Sequence, residues 1–118
     1  MDYFSKKEKS CPCCGLNLVD QNQHFLQALN TARAIAGIPF KVTSMTRCQK
    51  HNAELKDSKP NSAHTKGLAV DIVCNASTTR MKIHKALFVA GFKRIGIAKG
   101  FIHADMDETL PQEVEWLY

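Results

Sequence analysis

The chain has 118 residues, 44% of them hydrophobic and 23% charged, with a formal net charge of +5. That length builds one compact domain spanning residues 1–118 and excludes two, and the composition excludes a disordered chain. No apolar run approaches the roughly 20 residues of a membrane-spanning helix, and the positive balance suits nucleic acid, anionic surfaces or simple solubility.

The opening, MDYFSKKEKSCPCC, lacks the apolar segment of a secretory signal, which predicts synthesis in the cytoplasm. Lys6-Lys7-Glu8-Lys9 is the one short basic cluster. No stripe of basic residues alternates with aromatics, so nucleic acid is not expected as a partner. The five cysteines are Cys11, Cys13, Cys14, Cys48 and Cys74, and their odd number argues against a complete disulfide framework. Cys11-Pro12-Cys13-Cys14-Gly15 resembles half of a zinc knuckle, but no second CxxC or HxxxH follows. The preferred reading is a tight turn with buried or free thiols, with a separate structural zinc as the alternative. Whether Cys13 or Cys14 approaches Cys48 is left to the fold.

Residues 22–37 carry Phe25, Leu26, Leu29, Ala32, Ile35 and Ala36 at helical spacing. Asp20 is the expected N-cap, and Gly37 with Pro39 the stop. Residues 40–44 alternate as a strand. Residues 45–63 read as a polar, irregular loop with a turn at Lys59-Pro60-Asn61-Ser62, and loops of that length are often functional. Residues 68–73 read as a strand, and Ser77 or Thr78 caps a helix running to Ala90 with Ile83, Ala86, Leu87 and Ala90 inward. Gly91 closes it. Strands at 94–98 and 101–105 flank the turn Lys99-Gly100. This order predicts an α+β domain, a small antiparallel sheet with flanking helices.

His64, Asp71 and His103 have the chemistry of metal ligands and fall at or near strand ends. Two imidazoles and a carboxylate suit a catalytic zinc, which takes three protein ligands and leaves one position open. Asp71 is the strongest clue, because a carboxylate in an otherwise apolar strand is costly unless paired or metal-bound. Gly67 lets the backbone turn between His64 and Asp71. Each residue alone is more often a satisfied core or rim group; the pattern is what raises all three.

That pattern comprises Ser44-Met45-Thr46-Arg47-Cys48 with His51-Asn52, then Ser62-Ala63-His64-Thr65-Lys66-Gly67-Leu68-Ala69-Val70-Asp71-Ile72, then Gly100-Phe101-Ile102-His103-Ala104-Asp105. It resembles the zinc D-Ala-D-Ala peptidases, a group related to hedgehog signalling domains and lysostaphin-type enzymes. The likeness runs from about Cys11 to Trp116. It implies one zinc on a small antiparallel sheet, with His64, Asp71 and His103 as ligands. It places Arg47 over the site to stabilise an oxyanion, a role that suits a fixed guanidinium. It places Ser62 and Asn52 on the substrate side, with Ser62 either binding a terminal carboxylate or capping a turn, and Asn52 tying the loop together. The chain departs from the pattern at Gly100, where many relatives carry the acidic general base. Asp105 is then either the base or a group that orients a ligand. His84 reads as a surface residue, and His24 and His51 carry no assigned role.

The resemblance implies a zinc-dependent peptidase acting on peptidoglycan stem peptides, as a D-Ala-D-Ala carboxypeptidase or an endopeptidase. Small size, basic charge and the missing signal lean towards a monomeric phage or prophage lysis enzyme that reaches the cell wall when released. The alternative is a catalytically inactive, zinc-containing binding module of the same fold, for which Gly100 is the main support. A nucleic-acid-binding zinc ribbon would need four thiolate ligands, and Cys48 and Cys74 form no second pair in the sequence.

Overall fold

A computed structural model describes residues 2–55 and 58–118; residues 56–57 of the expected loop lie outside them. The chain opens with a turn of helix, α1 (Lys6–Lys9). Ser5 accepts the Glu8 backbone N–H at 3.1 Å, and the Glu8 carboxylate accepts the Ser5 N–H at 2.9 Å. This reciprocal cap satisfies two backbone donors that a helix start leaves open. The basic cluster is therefore one turn of helix, with Lys6 and Lys7 exposed. Lys9 is buried and held by Asp2 at 2.9 Å and Asp20 at 2.7 Å.

Helix α2 (Gln23–Ala36) begins at Asn22, not Asp20, which belongs to the preceding 3-10 turn Val19–Gln21. Asn22 makes no side-chain cap; its amide donates instead to the carbonyls of Leu18 and Lys66. Phe25, Leu26, Leu29 and Ala32 turn inward as their spacing predicts, but Ile35 is 45% exposed. Gly37 ends the helix at φ +67, a left-handed conformation that favours glycine. Strand β1 (Val42–Ser44) is shorter than expected.

The segment after β1 is less irregular than its composition suggests. It holds helix α3 (Gln49–Glu54) and the 3-10 turn Ala63–Lys66. Both are short and polar, so no apolar period betrays them. Strand β2 (Ala69–Val73) follows, then α4 (Ser77–Val89). Ser77 is the first helical residue and Ala76 occupies the cap without a side-chain bond, so the serine cap is not realised. Strands β3 (Arg94–Ile97), β4 (Phe101–Asp105) and β5 (Val114–Leu117) complete the chain.

The sheet order is β1-β2-β4-β3-β5. The class is α+β, and the first four strands pair antiparallel. The fifth was not legible in the sequence and runs parallel to β3, so the whole sheet is mixed. Val70 and Ile72 of β2 and Ile102 and Ala104 of β4 join Phe25, Leu29, Ile83, Leu87 and Phe92 in one core. Strand alternation sends Asp71 and His103 to the other face. There Arg47 and His64 pack against them, which is how polar groups come to be buried at mid-strand. No helix among the described residues is long and apolar enough to cross a membrane.

Candidate metal centre

Asp71 and His103 are direct cross-strand partners of β2 and β4. Such partners project from one face with their side chains in reach, and His103 Nδ1 lies 2.9 Å from Asp71 Oδ1. His64 arrives from the 3-10 turn. Ser62 caps that turn by accepting the His64 N–H at 3.3 Å. Gly67 closes the turn at φ +71, and a Cβ there would sit 2.5 Å from Leu18 Cβ. Glycine is thus required by both conformation and space. The His64 and His103 rings stand 5.3 Å apart.

The nitrogen His64 offers is decided by its other contact. Nδ1 lies 2.7 Å from the Met45 carbonyl, which can only accept, so Nδ1 carries the proton. In the neutral ring Nε2 is then a bare lone pair. It is buried, has no hydrogen-bond partner, and sits 3.3 Å from Asp71 Oδ2. A lone pair facing a carboxylate oxygen is repulsive unless a cation lies between them. Nε2 of His64, a carboxylate oxygen of Asp71 and a ring nitrogen of His103 all fall within 4.8 Å of one another. An orphaned nitrogen, a carboxylate and a second imidazole fit a divalent metal of the zinc type.

Around these three groups, two further residues expected at the site, Asp105 and Asn52, are buried and engaged. Asp105 is 2% exposed and wholly engaged. Its Oδ2 accepts His103 Nε2 at 2.7 Å, while Oδ1 accepts Arg94 Nε at 2.8 Å and the Asp107 N–H at 3.1 Å. It stands behind His103, orienting the ring so that Nδ1 faces Asp71, and not as a free base beside the three donors. Asn52 is 1% exposed, with its amide donating to the Lys59 carbonyl at 2.7 Å. It braces the loop and lies under Arg47, so it is not a substrate contact. His84 is half-buried and pairs with Glu115 at 3.1 Å. Gly100 lies in the β3–β4 turn, where a Cβ would come 3.4 Å from Asn75 Oδ1.

Arg47 does reach the centre. Its Nη2 lies 3.2 Å from Asp71 Oδ2 and its Nε donates to Ser44 Oγ at 3.0 Å. The backbone N–H of Arg47 also bonds the His64 carbonyl at 3.0 Å, so the arginine and the histidine share one backbone link. Burial lowers the Arg47 pKa, and the Asp71 charge opposes that effect. Burial likewise opposes the charge of Asp71, but contacts led by the hydrogen bond from His103 outweigh it and hold its carboxyl well below the usual range. For His103, burial is outweighed by Asp105 and Asp71, and its pKa is raised.

Strand β5 supplies a wall. A row crosses the sheet from Ser44 through Asp71, His103 and Gly96 to Trp116. Gly96 makes room for the indole, since a Cβ there would lie 2.6 Å from Trp116 Cε2. The Trp116 and His103 rings are 5.6 Å apart, and Arg94 stacks on Trp116 at 5.0 Å. Sequence reasoning missed Trp116, Arg94 and the Met45 carbonyl. Gly96 inside an apolar strand was the available signal for a close approach.

The sequence model of one family, Peptidase M15, matches residues 3–105. No curated protein and no solved structure matches the chain.

Proposed function

The chain belongs to the Peptidase M15 family, whose members are metal-dependent, and from that premise we propose that it is a zinc-dependent peptidase acting on peptidoglycan stem peptides. The observation that carries the reading is the unpartnered His64 Nε2 facing Asp71 beside His103. His64, Asp71 and His103 would hold the ion. Bound there, zinc supplies Lewis acidity that polarises a carbonyl and acidifies water.

The protein's own groups do the rest. Asp105 and the Met45 carbonyl hold the two imidazoles in the orientation a ligand needs. Arg47 has five N–H donors. Ser44, Asn52 and Asp71 engage one each, which leaves two for a developing oxyanion. Trp116 and Tyr118, 6.2 Å apart, line the approach with aromatic surface. The substrate is a D-Ala-D-Ala terminus or an internal stem-peptide bond, and the setting is a phage or prophage lysis enzyme made in the cytoplasm and released to the wall.

A second reading keeps the metal and drops the chemistry, leaving a wall-binding module. It is favoured by Gly100 at the position of the usual base and by the full engagement of Asp105. Purified murein separates the two. Release of D-Ala or of new amino termini, abolished by a chelator and restored by zinc, supports the peptidase. Zinc-dependent binding to murein without any new amino terminus supports the module.

A further inference from the structure

The chain holds a second group of metal-ligating side chains that the His64–Asp71–His103 centre does not use. The Sγ atoms of Cys11, Cys13, Cys14 and Cys48 all lie within 4.8 Å of one another. Cys13 Sγ is 3.6 Å from Cys11 Sγ and 3.3 Å from Cys48 Sγ. Sulfurs placed tetrahedrally about 2.3 Å from a zinc ion stand about 3.8 Å apart. The two close separations fall a little below that value, and all four sulfurs lie near enough to one another to share one ion.

The backbone is shaped to present these sulfurs. The Cys11 N–H bonds the Leu16 carbonyl at 2.7 Å and the Gly15 N–H bonds the Cys11 carbonyl at 2.8 Å, closing residues 11–16 into a loop. Gly15 takes φ +78, with nothing within 4 Å of where a Cβ would lie, so its need is conformational. Backbone N–H groups also point at sulfur. Cys48 donates to Cys11 Sγ at 3.4 Å, and His51 donates to Cys48 Sγ at 3.3 Å. Such donors favour thiolate over thiol and orient metal-bound sulfur. A disulfide between Cys13 and Cys48 would leave Cys11 and Cys14 gathered for no reason, whereas an ion uses all four. Cys74 is buried elsewhere and takes no part.

We propose that Cys11, Cys13, Cys14 and Cys48 bind one zinc ion in a closed tetrathiolate site that ties the N-terminal arm to the segment carrying Arg47. Each thiol loses its proton on binding. With four protein ligands no position is left for water, so the site is structural. Cys48 follows Arg47 directly and caps α3, so the ion anchors the backbone from which the guanidinium reaches Asp71.

The test is the metal content of the full chain, purified under a reductant, for the native protein, His64→Ala and the double variant Cys13→Ser/Cys14→Ser. About two zinc ions are expected in the native protein and about one in each variant. With cobalt in place of zinc, His64→Ala is expected to keep an intense sulfur-to-cobalt charge-transfer band. If the double variant fails to fold, that band in His64→Ala decides the matter. Zinc retained by His64→Ala at the native level of one ion supports the thiolate site and sinks the histidine centre instead. A native protein with a single zinc that His64→Ala loses entirely overturns the proposal. So does a mass lower by one pair of hydrogens, marking a Cys13–Cys48 disulfide, or iron bound in place of zinc.

Discussion

Two side chains decide what the candidate metal centre can hold, and each is set by a group behind it. His64 gives Nδ1 to the Met45 carbonyl and keeps Nε2 for a ligand. His64→Ala is therefore expected to lose the ion at this centre while the circular dichroism spectrum stays native; a spectrum unchanged together with undiminished metal would contradict the ligand assignment. His103 gives Nε2 to Asp105. Asp105→Asn should weaken metal affinity by about 10–100-fold, measured by competition with a chromophoric chelator. A general base would behave differently, with metal affinity intact and turnover lost. Arg47→Lys keeps the charge and loses the planar fork. Its expected signature is kcat/KM on murein peptides lower by about 10²–10³-fold at unchanged zinc content.

At the scale of elements, the 3-10 turn Ala63–Lys66 aims His64, and its closure depends on one glycine. Gly67→Ala meets both a left-handed φ and a Cβ position 2.5 Å from Leu18 Cβ and 2.6 Å from its carbonyl carbon. Backbone cannot yield as a flexible side chain would. The expected loss is about 2–4 kcal/mol, read from urea unfolding midpoints; a variant as stable as the native chain would show that the turn is not held against Leu18. The legibility of these elements follows their local chemistry. Helix α2 shows an apolar stripe and a glycine stop, so its span was readable to within a residue at each end. Helix α3 shows neither. Strand β5 is flanked by Gln112 and Glu113 and alternates exposed with half-buried residues, a weak signal for an edge strand.

At the scale of the whole molecule, ion pairs tie distant segments to the sheet. Lys66 reaches Asp107 at 2.7 Å across 41 residues, and the carboxylate is 1% exposed. Burial opposes its charge, but Lys66 and Thr109 outweigh that and lower its pKa below 3.8. The Asp2 carboxyl is also lowered, with burial again outweighed by Lys9, the Phe4 N–H and the Asn30 amide. A folded pKa below the unfolded one adds stability that is complete above the unfolded value and lost as pH falls through the folded one. The urea midpoint should therefore drop below about pH 4. Asp107→Asn should be less stable at neutral pH and show a shallower acid limb; an unaltered acid limb would remove Asp107 from the account.

The sequence by itself determined what is written in neighbours along the chain. His64 and Asp71 lie within one turn and one strand with Gly67 between them, so they were readable as candidate ligands, and the resemblance to a known family joined His103 to them; alternation in β2 and β4 sets Asp71 and His103 off the apolar face. Only the tertiary structure decided which groups meet across long separations. The β2–β4 register put Asp71 opposite His103, packing turned Asp105 behind the ring, and loop closure carried Cys48 to Cys11 across 37 residues. The physical reason is one of range. Backbone period and turn preference act over a few residues, whereas strand order and the closing of loops depend on burial summed over the whole chain.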